Sequence, residues 1–135
     1  MTQPSTTTAS TTAQAIAPTI QNLDLDNVIA RLRRDENMST EDIQQAVKEY
    51  KQFLELRRRE DDANIVPSVL ADKVWHHHIL DTRTYARDCD TIFGDFLHHN
   101  PNVETPIAEK EKGLQVWRRA FGKEAPKMLT TDPCI

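Results

Sequence analysis

At 135 residues, 38% of them hydrophobic and 28% charged, with a formal charge of -4, the chain has the make-up of one water-soluble domain with a single core. Seventeen basic against twenty-one acidic residues exclude a general nucleic-acid binder, because neutralising phosphates needs a positive field. No apolar run approaches the roughly twenty residues of a membrane span, so no membrane association is expected.

Met1 to Thr12 is rich in Thr and Ser, with no basic residue and no apolar stretch of the kind that opens a secretory signal. Two cysteines make no disulfide framework, and a reducing cytoplasm is the expected location. Residues 1–20 hold almost no large apolar side chains and read as a disordered tail, because they cannot bury enough surface to offset the entropy of ordering. From Asn22 the pattern changes. Leu25, Val28, Ile29 and Leu32 recur at helical spacing, with Asn22 or Asp24 as the cap. Ser39-Thr40-Glu41-Asp42 resembles a capping box. Behind it Ile43, Val47, Tyr50, Phe53 and Leu54 mark a long amphipathic helix ending near Arg59. The basic runs Arg31, Arg33, Arg34 and Arg57 to Arg59 adjoin acids and read as solvated helix ends.

Pro67 presets a third helix, with Val69, Leu70, Val74, Trp75 and Ile79 as its apolar positions. Asp81-Thr82 is a cap or a kink. Tyr85, Cys89, Ile92 and Phe93 share the next face, and Gly94 offers a left-handed stop. Asn100-Pro101 is a turn signal, and Thr105-Pro106 opens a last helix carrying Leu114, Trp117 and Phe121 before Gly122. The predicted fold is therefore all-α. It is a small bundle of about five helices over residues 21–124, followed by an irregular arm over 125–135.

All five histidines, together with Cys89 and Trp75, fall within the stretch from Trp75-His76-His77-His78 to His98-His99. Imidazole and thiolate donate to borderline transition metals, so the clustering points to a metal centre, zinc first, on His76, His78, Cys89, His98 and His99. Helical geometry works against it, since His76 and His78 diverge by about 200° around an axis. His77 is expected to be exposed. The plainer alternative is a satisfied polar contact between Asp72 and His76, with Cys89 a buried small hydrophobe and Trp75, Asp81 and Tyr85 in packing or supporting roles. A third reading is a small enzyme using His76 oriented by Asp72, with Cys89 or Tyr85 assisting. No phosphate-binding Gly loop, nucleophile elbow or HExxH pair is present, and no catalytic residue is assigned.

The run Trp75-His76-His77-His78-Ile79-Leu80-Asp81-Thr82, followed by Tyr85, Asp88-Cys89, Phe93-Gly94 and Leu97-His98-His99, resembles the central signature of the glycine-rich domain-containing protein-like family. The resemblance covers about Tyr50 to Pro101. It singles out Asp72, Trp75, His76, His78, Tyr85, Asp88 and Cys89 and treats His77 as the variable position. The glycine-rich region of larger relatives is absent from this sequence, and the resemblance implies a fold and a set of residues rather than an activity. Three functions compete: a His/Cys metal-binding domain, a non-enzymatic module that binds a protein partner, and a small His/Asp-dependent enzyme.

Overall fold

The computed structural model describes residues 16–59, 65–95, 97–98 and 107–126, the side chains of 107–110 excepted. The described residues contain six α-helices and no strand. The helices are α1 (Pro18–Gln21), α2 (Asp26–Asp35), α3 (Thr40–Arg59), α4 (Val69–Leu80), α5 (Thr82–Phe93) and α6 (Ile107–Phe121), with a 3-10 turn at Gly122–Glu124. The proposed disordered segment before residue 16, the Asn100-Pro101 turn, the Thr105-Pro106 helix start and the arm beyond Pro126 lie outside the described residues.

Helix α3 is the hub, in contact with α1, α2, α4 and α6. Its start is fixed by Ser39, whose Oγ accepts the Asp42 amide at 3.1 Å. Glu41 and Asp42 in the first turn and Arg57 to Arg59 in the last suit the helix dipole. Ile43, Ala46, Tyr50, Phe53 and Leu54 face the core, and from Gln52 to Leu56 every residue is buried. That continuous burial shows that this turn and a half of α3 is enclosed on all sides.

Helix α4 begins at Ser68, whose side chain accepts the Ala71 amide at 3.0 Å directly after Pro67. Asp81, at φ -88° and ψ 72°, interrupts the helical path and separates α4 from α5. Gly94 closes α5 in the left-handed region at φ 76°, its amide bonded to the Asp90 carbonyl, as the sequence predicts. Trp117 of α6 is fully buried and donates its indole N–H to the Val66 carbonyl at 3.2 Å, pinning α6 to the chain just before α4.

Two features differ from the sequence reading. Residues 16–20, read as the end of the tail, are packed on the bundle: Pro18 opens the four-residue α1 and Ile20 is fully buried. The anchor is long-range. The Ala17 amide donates to the buried Glu55 carboxylate at 2.8 Å, and Arg58 and Arg59 bind the same carboxylate. Those two arginines, and Arg31, whose Nη2 donates to the His77 carbonyl at 2.7 Å, are therefore tied to the fold rather than merely solvated. Burial pushes the Glu55 carboxyl up, but the bonds from Arg58, Ala17 and Arg59 outweigh it and hold the group below the usual carboxylate range.

Candidate functional site

Residues three or four apart share a helix face. Trp75 and His78 therefore stand together on α4, as Tyr85, Asp88 and Cys89 do on α5, and the bend at Asp81 lays one face against the other. The ring centroids of His78 and Tyr85 lie 4.9 Å apart at 88°. Tyr50 of α3 completes the group from the third side, with its ring edge-on to His78 at 5.7 Å.

Two polar chains run through this interface. In the first, Nδ1 of His78 lies 2.7 Å from the Tyr50 hydroxyl and Nε2 lies 2.9 Å from Oδ2 of Asp88. In the second, the Trp75 indole N–H donates to the Tyr85 hydroxyl at 2.8 Å, and that hydroxyl donates onward to the Leu97 carbonyl. His78, Tyr50 and Tyr85 are each at most 2% exposed. Burial lowers the His78 pKa against the opposing pull of Asp88, so the ring is neutral near pH 7. Burial also pushes the Tyr50 hydroxyl well above the ordinary tyrosine value, and that of Tyr85 likewise, so both stay protonated. One tautomer satisfies every atom: Tyr50 donates to Nδ1, and the Nε2 hydrogen of His78 goes to the Asp88 carboxylate.

The connectivity of acid, imidazole and hydroxyl is that of a catalytic relay. Its hydroxyl end, however, is fully enclosed: Tyr50 is 0% exposed, and a substrate atom has no approach to it. Only Asp88, with 13% of its side chain exposed, reaches toward water.

The other residues of the predicted site lie apart. His77, expected to be exposed, is buried against α2. Its Nε2 lies 3.1 Å from Glu36 and its carbonyl accepts Arg31, so the variable position of the family pattern here joins two helices. The His77 bond holds the Glu36 carboxyl below its usual range, helped by Lys73. His76 is half-buried beside His77, ring centroids 5.4 Å apart. Asp72 is buried on the first turn of α4, and Asp81 sits at the bend. Cys89 is 2% exposed, and burial raises its thiol pKa, which disfavours the thiolate that a metal or nucleophile role needs. His98 is exposed, and His99 lies outside the described residues. Among the described residues no group of three or more His, Cys, Asp or Glu side chains is placed to hold a metal ion. The divergence of His76 from His78 around α4, already visible in the spacing, persists because α4 stays helical to Leu80.

Sequence reasoning missed Tyr50, which it counted only as an apolar position of the long helix. It also missed Glu36, Arg31 and Glu55 as partners. The i, i+3 spacing of Trp75/His78 and Tyr85/Asp88 was the available signal for the network.

A separate surface feature lies at the start of α4. A groove of about 500 Å³ runs between Gln45, Lys48 and Glu49 of α3, Val69 and Leu70 of α4, and Lys123 to Pro126 after α6. Its carboxylate Glu49 is internally satisfied, accepting Ser68 Oγ at 2.6 Å and Gln45 Nε2 at 2.7 Å. No helix of the described chain is long and apolar enough to cross a membrane.

The fold and the network define a small all-α domain built around a buried His78–Tyr50 pair that reaches out to a half-buried Asp88. The chain belongs to the UCP032817-like family, whose model matches residues 17–130. It is also similar to glycine-rich domain-containing protein 2 of Arabidopsis thaliana, with 26% identity over 118 residues, covering 69% of this chain and 14% of that protein. These matches uphold the resemblance read from the signature around Trp75. The chain thus spans about a seventh of the length of that curated relative. No solved structure matches.

Proposed function

We infer that this domain is a non-enzymatic protein-interaction module in which the histidine run is structural. The observation that carries this reading is the double occupation of His78. Both of its ring nitrogens are bonded, to Tyr50 and Asp88, leaving none for a metal, and the fully enclosed Tyr50 hydroxyl gives a substrate no access to the hydrogen-bond chain. The family pattern then marks the residues that lock α3, α4 and α5 together. A match to only a seventh of a much longer relative suits a unit that works beside other parts.

The reading separates stability from binding. Tyr50→Phe should lower the melting temperature while leaving cross-linked partner adducts of the full chain intact. Val69→Glu, at an exposed groove position, should keep the melting temperature and lose the adducts. Stoichiometric zinc, iron or copper in protein purified without a histidine tag, with a rise in melting temperature on adding that metal, would overturn it.

A further inference from the structure

Enclosure shuts a substrate out of the Tyr50–His78 pair, but it does not shut out an electron. Electrons cross a thin layer of packed protein without any opening, whereas protons move only along hydrogen bonds. Removing an electron from a phenol or an indole makes its O–H or N–H strongly acidic, and a positive charge left in a dry core is costly. One-electron oxidation of a buried side chain is therefore favoured where its hydrogen already points at a base.

The readily oxidised side chains buried among the described residues are Tyr50, Trp75, Tyr85, Cys89 and Trp117. All but one give their hydrogen to a group that is no base. Trp117 donates to the Val66 carbonyl and Tyr85 to that of Leu97. The Trp75 hydrogen goes to the Tyr85 hydroxyl, and the Cys89 thiol lies against Tyr85 and the Leu97 backbone. Tyr50 is the exception. Its hydrogen points at Nδ1 of the neutral His78 ring, 2.7 Å away, and Nε2 of that ring lies 2.9 Å from Oδ2 of Asp88. The other oxygen of Asp88 faces the exposed Arg87 at 3.8 Å, and 13% of the Asp88 side chain meets water. A proton path thus leads from the centre of the core to the surface through His78 and Asp88.

We propose that Tyr50 is a one-electron redox site, oxidised to a neutral tyrosyl radical by a diffusible inorganic oxidant such as the carbonate radical anion, with His78 taking its proton. The oxidant gains one electron and becomes carbonate. The Tyr50 O–H bond breaks and its proton passes to Nδ1 of His78 while the Nε2 hydrogen passes to Asp88. The imidazole ends neutral in its other tautomer, and Asp88 changes from carboxylate to acid. A one-electron reductant such as ascorbate returns the electron to Tyr50, and the two protons then move back. The core thereby traps an oxidising equivalent on a ring that no solvent or partner touches. This role goes beyond the interaction-module reading and stands independently of it.

The sequence holds two tyrosines, Tyr50 and Tyr85, which makes the assignment direct. The test exposes the full chain, its histidines labelled with nitrogen-15, to carbonate radicals from a radiolysis pulse. Samples are frozen for electron paramagnetic and electron-nuclear double resonance. The native protein should give a tyrosyl radical coupled to a histidine nitrogen. Tyr85→Phe should keep that signal and Tyr50→Phe should lose it. Asp88→Asn should slow radical formation about tenfold or more, because the second proton transfer loses its acceptor. A purely structural Asp88 would leave the rate of a folded variant unchanged, and melting curves check each fold. The histidine coupling is read in the native protein, so it decides the case even where a substitution unfolds the chain. A radical on Tyr85 or a tryptophan, a tyrosyl radical without histidine coupling, no tyrosyl radical at all, or an unchanged rate in folded Asp88→Asn would overturn the proposal.

Discussion

The Tyr50 hydroxyl and Nδ1 of His78, 2.7 Å apart and both shut away from water, join the hub helix to the helix that carries the histidine run. Tyr50→Phe keeps the ring and removes only the donor, leaving a buried imidazole nitrogen without a partner. The expected cost is about 1–3 kcal/mol, measured as a shift in the midpoint of denaturant unfolding. An unchanged midpoint would mean that water replaces the hydroxyl and that the pair does not hold the helices together.

The pH dependence follows from the direction of the His78 shift. Folded His78 has a pKa below the 6.5 of the unfolded chain, so the unfolded state takes up its proton first. The resulting stability is complete above 6.5 and is lost as the pH falls toward the folded value. Glu36 and Glu55, both held below 4.5, add a second loss once the pH drops under that value. The melting temperature should therefore fall between neutral and mildly acid pH, and His78→Gln should flatten that first decline while leaving the second. A first decline of equal size in the variant would assign it to another group.

Glu55 holds α1 in place. Glu55→Ala removes the acceptor of the Ala17 amide and of two guanidinium groups. Breaking a fully buried pair costs about 3–5 kcal/mol, and the partial exposure of Arg58 and Arg59 reduces the expectation here to about 2–3 kcal/mol. Hydrogen exchange should show the Ile20 and Gln21 amides losing protection before those of α3. Retained protection at α1 would show that Ile20 burial alone suffices.

At Gly94 the added side chain meets nothing within 4 Å, so Gly94→Ala tests backbone strain without a clash. With φ at 76°, the expected destabilisation is about 1 kcal/mol, read by thermal unfolding. Stabilisation instead would mean that the end of α5 adopts another conformation in solution.

Helix identity was legible in the sequence wherever apolar spacing repeated over several turns, as along α3 from Ile43 to Leu54, or where a stop signal was sharp, as at Gly94. The four-residue α1 was not. One buried Ile20 has no period, and its anchor Glu55 lies far along the chain. The site was half legible. Donor clustering drew attention to His76 through His99, but clustering in sequence says nothing of which face each ring takes. Angular spacing correctly separated His76 from His78, yet it put His77 in solvent, because nothing local shows that α2 covers that side of α4. Tyr50 was hidden for the same reason. A tyrosine on an apolar stripe looks like core, and its hydroxyl acquires a role only when α4 is laid across it.

The most direct test of the structural role given to the histidine run is a nitrogen-15 NMR titration of the His78 imidazole in the intact chain. The expected result is a neutral ring with its hydrogen on Nε2, a pKa below 6.5, and no change on adding equimolar zinc. A hydrogen on Nδ1, a pKa above 6.5, or a zinc-dependent shift of either nitrogen would contradict it.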